Sequence, residues 1–240
     1  MPRLDVLVTN SGLAESRERA QALILAGKVR VAGETERRPG RAVRENAQID
    51  VDVEPGYASR GAHKLAPALV RFGVDPTGRV CADIGASTGG FTDVLLRRGA
   101  RRVFTVDVGR GLLHWRLRQD PRVVVIERTN ARDLESFPEP VSLAVIDVSF
   151  ISLDKVLPAI RRAAPGAEVV ALFKPQFEVG RSQVGKGGIV RDTVAVEAAL
   201  GRFTDWCSAN GYAVLAHAPS EVAGAEGNRE IFVHLQPVAA

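Results

Sequence analysis

The sequence predicts an α/β chain in which a mostly parallel, seven-stranded sheet is covered on both faces by helices and preceded by a small α+β module. Three observations predict it. From residue 59 onward, short apolar runs rich in β-branched residues alternate with helical patterns, as a parallel sheet requires. The stretch VCADIGASTGGFTDVLL, residues 80–96, reads as strand, glycine turn and helix. Residues 1–53 carry two helical patterns and two short strands of their own, closed off by Glu54-Pro55-Gly56. The expected division is therefore a module over 1–53, a linker over 54–58 and a second domain over 59–240. A chain of 240 residues is long enough for both.

In the module, Leu4, Val6, Leu7 and Leu13 mark a short first helix. Ser16 can cap a second over RERAQALILAG, and Gly27 stops it. Ala20, Leu23 and Ile24 share its apolar face, with Arg17 and Glu18 elsewhere. Residues 29–31 and 49–53 alternate as strands. Arg17, Arg19, Lys28 and Arg30 lie close together in this pattern. Between Ser16 and Arg44, eight Lys or Arg face three Glu, a surface suited to a phosphate backbone.

Beyond the linker, Ser59 can cap a helix running to Phe72, with Ala62, Leu65, Ala66, Leu69 and Val70 as its buried stripe. Lys64 falls off that stripe with Arg60 and Arg71, so periodicity alone makes it a solvated lysine. Pro67 should kink or interrupt the helix. The glycine turn that follows reads G-x-x-x-G-G, not the dinucleotide G-x-G-x-x-G, and no G-K-[ST] is present. Further strands cover 102–106, ending at Asp107; 123–126, followed by Asn130; 143–146, ending at Asp147; and 169–173, ending at Lys174-Pro175. A long helix covers 193–210. Val214 and Leu215 lie in a sixth strand and residues 230–235 form the seventh. No helix separates these last two, so the seventh should run antiparallel to its neighbour.

Asp147 and Lys174 thus end parallel strands, at the edge where open sheets bind ligands. Glu230 begins an antiparallel strand, which brings it to the same edge. Each, taken singly, is also readable as a strand-end charge in water. Only five lysines stand against 27 arginines, and lysine is the cation that can surrender its proton near neutrality.

Two resemblances rest on these residues. L-x-x-x-x-G-L-A-x-S-R-x-x-A-x-x-L-I-x-x-G-x-V-x-V-x-G, residues 7–33, resembles the S-four-type RNA-binding domain first described in a ribosomal protein. Lys, Asp, Lys and Glu in this order around D-x-G-x-x-x-G-G resemble the tetrad of the FtsJ-like ribose 2′-O-methyltransferases. With S-R-G-A-x-K-L, I-D-V-S-F-I-S-L, F-K-P-Q-F-E-V-G, V-G-K-G-G-I-V-R-D and G-N-x-E, the chain is similar to the TlyA family over essentially its whole length. That family carries both haemolysin and ribosomal RNA methyltransferase names.

The resemblance implies a Rossmann-like class I methyltransferase domain that uses S-adenosylmethionine to methylate a cytidine ribose in ribosomal RNA, 23S with 16S left open. Lys64, Asp147, Lys174 and Glu230 become the catalytic tetrad. The cofactor turn becomes Asp83, Gly85, Ala86, Ser87, Gly89, Gly90 and Phe91, with Asp107 on the cofactor ribose, Asn130 at the adenine and Asp147 at the methionine end. Arg17, Arg19, Lys28, Arg30 and Lys186 become the RNA contacts, the partner being ribosomal RNA or a ribosomal subunit. Lys174 would take the 2′-hydroxyl proton. An exposed lysine has a pKa of about 10.4, so burial and Lys64 as a second cation would have to lower it. No metal is needed. The loop over 177–192, around Lys186, would order over the target nucleotide.

Composition narrows the alternatives. Net charge is +4, and ten Arg face three acids between Arg97 and Arg132, which suits an anionic partner. No apolar run approaches the ~20 residues of a membrane span. Cys81 and Cys207 read as free thiols of a reducing cytoplasm. A small-molecule methyltransferase, a non-enzymatic ribosome assembly factor and a pore-forming haemolysin remain as rival readings. Oligomeric state leaves no signal.

Overall fold

The computed structural model describes residues 1–14, 16–51, 56–224 and 226–238. The chain divides into two compact units, Met1–Gly56 and Tyr57–Ala240.

In the first unit, helices α1 (Leu4–Asn10) and α2 (Arg17–Leu25) share a core with a small antiparallel sheet. Its strands are β1 (Val29–Val31), β2 (Glu34–Glu36) and β3 (Ile49–Val51), in the order β2-β1-β3. Ser16 caps α2, its hydroxyl accepting the Arg19 N–H at 3.2 Å, and Leu23, Ile24 and Ala20 are buried as their spacing requires. Two local expectations need correction. The first helix stops at Asn10, leaving Leu13 beyond it and exposed. The sheet has a third strand, β2, which Glu34-Thr35-Glu36 concealed by carrying no apolar alternation. Glu36 is nevertheless buried, because its carboxylate accepts the N–H groups of Arg37 and Arg38. The last two residues of the expected strand 49–53, and Glu54 and Pro55 of the expected linker, lie outside the described residues.

The second unit carries a seven-stranded sheet. Its strands are β4 (Val80–Ile84), β5 (Arg102–Val106), β6 (Val123–Ile126), β7 (Leu143–Ile146), β8 (Glu168–Phe173), β9 (Tyr212–Pro219) and β10 (Ile231–Pro237). They stand in the order β6-β5-β4-β7-β8-β10-β9. The first five are parallel, and β10 is antiparallel to both β8 and β9, as the missing crossover helix predicted. Side chains alternate across the pleat and feed two cores. Ala82, Ile84, Phe104 and Ile146 face α5 (Leu153–Ala163) and α6 (Thr193–Ala209). Cys81, Val103, Val145 and Val170 face α3 (Ala62–Phe72) and α4 (Gly90–Arg97). Strands β4, β7 and β8, buried on both faces, read as near-continuous apolar runs, which is why they were visible in the sequence. Cys81 and Cys207 are buried free thiols, and burial pushes both up to about 12.

Helix α3 departs from its expected form. It begins at Ala62, not after Ser59, whose hydroxyl accepts the Gly61 N–H instead. Its buried face is Ala62, Leu65, Ala68 and Leu69; Val70 is exposed and Ala66 only half-buried. The helix passes through Pro67 to Phe72 as one element and stops at Gly73, which is left-handed. In the arginine-rich block, Arg97, Arg101, Arg102, Arg116, Arg118 and Arg122 are ion-paired to acids of the same unit. Much of its charge is therefore balanced internally.

Candidate active site

The carboxyl ends of β4, β5 and β7 surround two adjoining cavities, of about 540 Å³ and 250 Å³. Gly85, Ser87 and Asp147 line both. Gly85 has φ +84°, and a Cβ there would run into the backbone carbonyl of Asp147. Only glycine lets the β4 turn approach the end of β7 so closely. Gly89, at φ +92°, opens helix α4, and a Cβ on it would run into Leu113 and Leu117. Ala86, Gly90 and Phe91 border the smaller cavity, Phe91 packing against Phe232.

Asp83 is fully buried at the end of β4. One oxygen, Oδ2, accepts the N–H and the hydroxyl of Thr92 at 2.8 and 2.6 Å. The other, Oδ1, is buried without a hydrogen-bond partner, and the residue borders the smaller cavity. Burial pushes its carboxyl up to about 7; Thr92 opposes this, while Asp147 and Asp107 add to it.

Asp107 follows β5 and borders the larger cavity. Its two oxygens accept the N–H groups of Ser87 at 2.8 Å and Gly109 at 2.7 Å. Each retains a second lone pair for a ligand. Ser87 sits at φ +48°, unusual for a residue with a side chain, and is held there by Asp107. Asn130 also borders the larger cavity, and its side-chain oxygen caps a short turn by accepting the Arg132 N–H. Val108, Leu112, Val148 and Ile151 add an apolar wall.

The four expected polar residues form two ion pairs. Lys174 Nζ lies 2.5 Å from Asp147 Oδ1 and 3.0 Å from Ser149 Oγ. Lys64 Nζ lies 2.6 Å from Glu230 Oε2. The pairs adjoin in two ways. Lys64 and Asp147 border the same 250 Å³ cavity. The β8–β10 register, with Ile231 opposite Phe173, also brings Glu230 level with Lys174 at the next step. Lys64 is the correction here: it is not solvated, its side chain being only 11% exposed. Its place off the α3 stripe points it at Glu230, whose partner role no local pattern could announce. Ser149, two residues past Asp147, was missed.

Arg17, Arg19, Lys28 and Arg30 are exposed on the first unit. The Arg17 guanidinium also grips the buried Asp5 at 3.0 Å. Lys186 is exposed in a short turn of the glycine-rich segment. Among the described residues, no cluster of three His, Cys, Asp or Glu could hold a metal ion, and no helix is long and apolar enough to cross a membrane.

Comparison with known proteins adds three findings. Residues 57–237 match the FtsJ-like methyltransferase family and residues 2–49 match the S4 domain. The chain is 47% identical to the 16S/23S rRNA (cytidine-2′-O)-methyltransferase TlyA of Mycobacterium tuberculosis, over 98% of this chain and 89% of that one. It is 38% identical to the 23S rRNA (cytidine-2′-O)-methyltransferase TlyA of Campylobacter jejuni, over 74% of this chain and 70% of that one. Among solved structures, a Streptococcus thermophilus chain that carries a hemolysin name aligns at TM-score 0.75 and 42% identity, covering 99% of this chain and 89% of that one.

Proposed function

The chain belongs to the TlyA family of FtsJ-like methyltransferases, and on that premise we propose that it methylates the 2′-hydroxyl of a cytidine in ribosomal RNA. The observation that carries this reading is the pair of ion pairs, Lys174–Asp147 and Lys64–Glu230, beside the glycine turn of β4.

The residues fit S-adenosylmethionine as cofactor. The larger cavity is of the volume that encloses a cofactor of that size. Asp107 offers acceptors to a ribose diol, and the apolar wall with Asn130 suits a purine. The unpartnered Asp83 Oδ1, at the smaller cavity, suits a donor such as the amino group of a methionine end. When bound, the cofactor supplies a sulfonium methyl group open to nucleophilic attack.

The chain's own residues then do the following. Lys174, entering the step as the free amine, accepts the proton of the ribose 2′-hydroxyl, becomes an ammonium and raises the nucleophilicity of the oxygen. Asp147, 2.5 Å away, stabilises the ammonium that results, and Ser149 fixes the direction of the amine. Lys64, held by Glu230, directs a positive charge at the developing alkoxide. The pairing of both lysines with buried or half-buried carboxylates presets the geometry, and positioning supplies the largest share of the acceleration. Exposed Arg19, Lys28 and Arg30, with Arg17, serve as phosphate contacts of the S4 unit, and Lys186 as a contact near the target.

The test is transfer of labelled methyl groups from S-adenosylmethionine to separated, unmodified 50S and 30S subunits, with recovery of 2′-O-methylcytidine. Lys174→Arg keeps a cation beside Asp147 but cannot serve as the base. It should lose roughly 10²–10⁴-fold in rate, the usual worth of a general base. Full activity in that variant would overturn the assignment of Lys174, and label on neither subunit would overturn the substrate.

A further inference from the structure

Two motifs of the sequence take no part in the chemistry above: the glycine-rich V-G-K-G-G-I-V over residues 184–190 and the asparagine of G-N-x-E. They meet in the fold. Asn228 is 1% exposed, so its carboxamide is cut off from water. Its Oδ1 accepts the Val190 N–H at 2.9 Å, and its Nδ2 donates to the Gly188 carbonyl at 2.8 Å. Both bonds reach the glycine-rich segment, some 40 positions back in sequence. Asn228 itself lies in a tight turn. Its carbonyl accepts the Gly224 N–H at 2.9 Å, and Gly224 packs so close to Glu230 that a Cβ on it would lie 2.7 Å from Oε1.

One turn therefore holds both Glu230 and the 188–190 backbone. A segment with glycines at 185, 187 and 188 has little side-chain packing with which to fix itself. Its exposed residues include Lys186. A buried carboxamide that satisfies one backbone donor and one acceptor is the economical way to set its position, and leaving those groups unpaired is costly.

We propose that Asn228 is a positioning residue for RNA methylation. It clamps the glycine-rich segment to the turn that delivers Glu230, so that the RNA-facing loop and the Lys64–Glu230 pair hold a common register. This rests on the chain acting on ribosomal RNA.

The experiment compares Asn228→Ala and Asn228→Asp with the unaltered full chain. Asn228→Asp retains an acceptor for Val190 but has no donor for Gly188, so it should lie between the other two. Trypsin cleavage at Arg181, Lys186 and Arg191 should accelerate several-fold in Asn228→Ala. KM for the ribosomal subunit should rise about tenfold, the size of one lost buried hydrogen bond. Affinity for S-adenosylmethionine, followed by calorimetry, should stay unchanged. Unaltered cleavage and KM in both variants would overturn the clamp. So would a fall in cofactor affinity parallel to the rise in KM, which would mark general damage. If Asn228→Ala does not fold, Asn228→Asp decides by the same three readouts. An unaltered chain that is inert on ribosomal RNA would refute the underlying reading, while the cleavage rates would still judge the clamp.

Discussion

Lys64 and Glu230 stand 166 positions apart in the sequence, yet Nζ of one lies 2.6 Å from Oε2 of the other, and neither side chain is more than 11% exposed. One sits on α3 and the other at the head of β10, the strand that runs against its neighbours. Had β10 been parallel, Glu230 would lie at the opposite edge of the sheet. The sheltered pair is thus a direct consequence of the topology.

A first prediction concerns that pair. Glu230→Leu alone leaves a sheltered ammonium unpaired and should cost ~3–5 kcal/mol of stability. Adding Lys64→Met should recover much of the loss, because an apolar pair of similar volume avoids the desolvation of two charges. Methyl transfer should be lost in both variants. Denaturant unfolding read beside activity checks this, and a double variant that regains activity with stability would show the pair to be structural only.

Asp83 carries a second prediction. Its carboxyl is raised to about 7 in the folded chain, against about 3.9 for an unfolded aspartate. Between these values the folded state binds the extra proton, so this group's contribution to stability is complete below pH ~4 and is lost as pH rises through ~7. Asp83→Asn retains an acceptor for Thr92 and removes the titration. The stability difference, variant minus parent, should therefore grow in the variant's favour from pH 5 to pH 8. Thermal unfolding across that range measures it. A constant difference would mean that Asp83 ionises normally in the fold.

Asp107 supplies a third. Asp107→Asn keeps one acceptor oxygen for the two backbone N–H groups of Ser87 and Gly109, and so disturbs the turn while removing the charge. Affinity for S-adenosylmethionine should fall about tenfold or more, corresponding to ~1.4 kcal/mol. Binding of ribosomal RNA in the absence of cofactor should be unchanged. Calorimetry with each ligand checks both, and an unaltered cofactor affinity would remove Asp107 from the cofactor site.

Strands β4, β7 and β8 were legible because each is buried on both faces and so spells a short apolar run; β5, β6 and β7 match their expected bounds. The α3 stripe was harder to place. Counting Val70 and Ala66 in and Ala68 out is an error of phase, and a short helix offers too few turns to correct it. Strand β2 was missed because Glu34 and Glu36 give no apolar signal, and Glu36 is buried only through the groups it binds. The anchors Ser149 and Asn228 were missed for a related reason. A polar residue becomes a clamp only when its partners arrive from elsewhere, and Val190 reaches Asn228 across 38 positions.

The succession of strands in the larger unit, the glycine turn after β4 and the charges that close strands β7 and β8 were readable from the chain alone. These follow from periodicity and from backbone sterics, which act over a few residues at a time. Only the tertiary structure decided that Lys64 is sheltered, that the four polar residues divide as Lys174 with Asp147 and Lys64 with Glu230, and that Asn228 holds a distant loop. Pairing of charges depends on which side chains share a region of low dielectric, and that is a property of packing between segments remote in sequence.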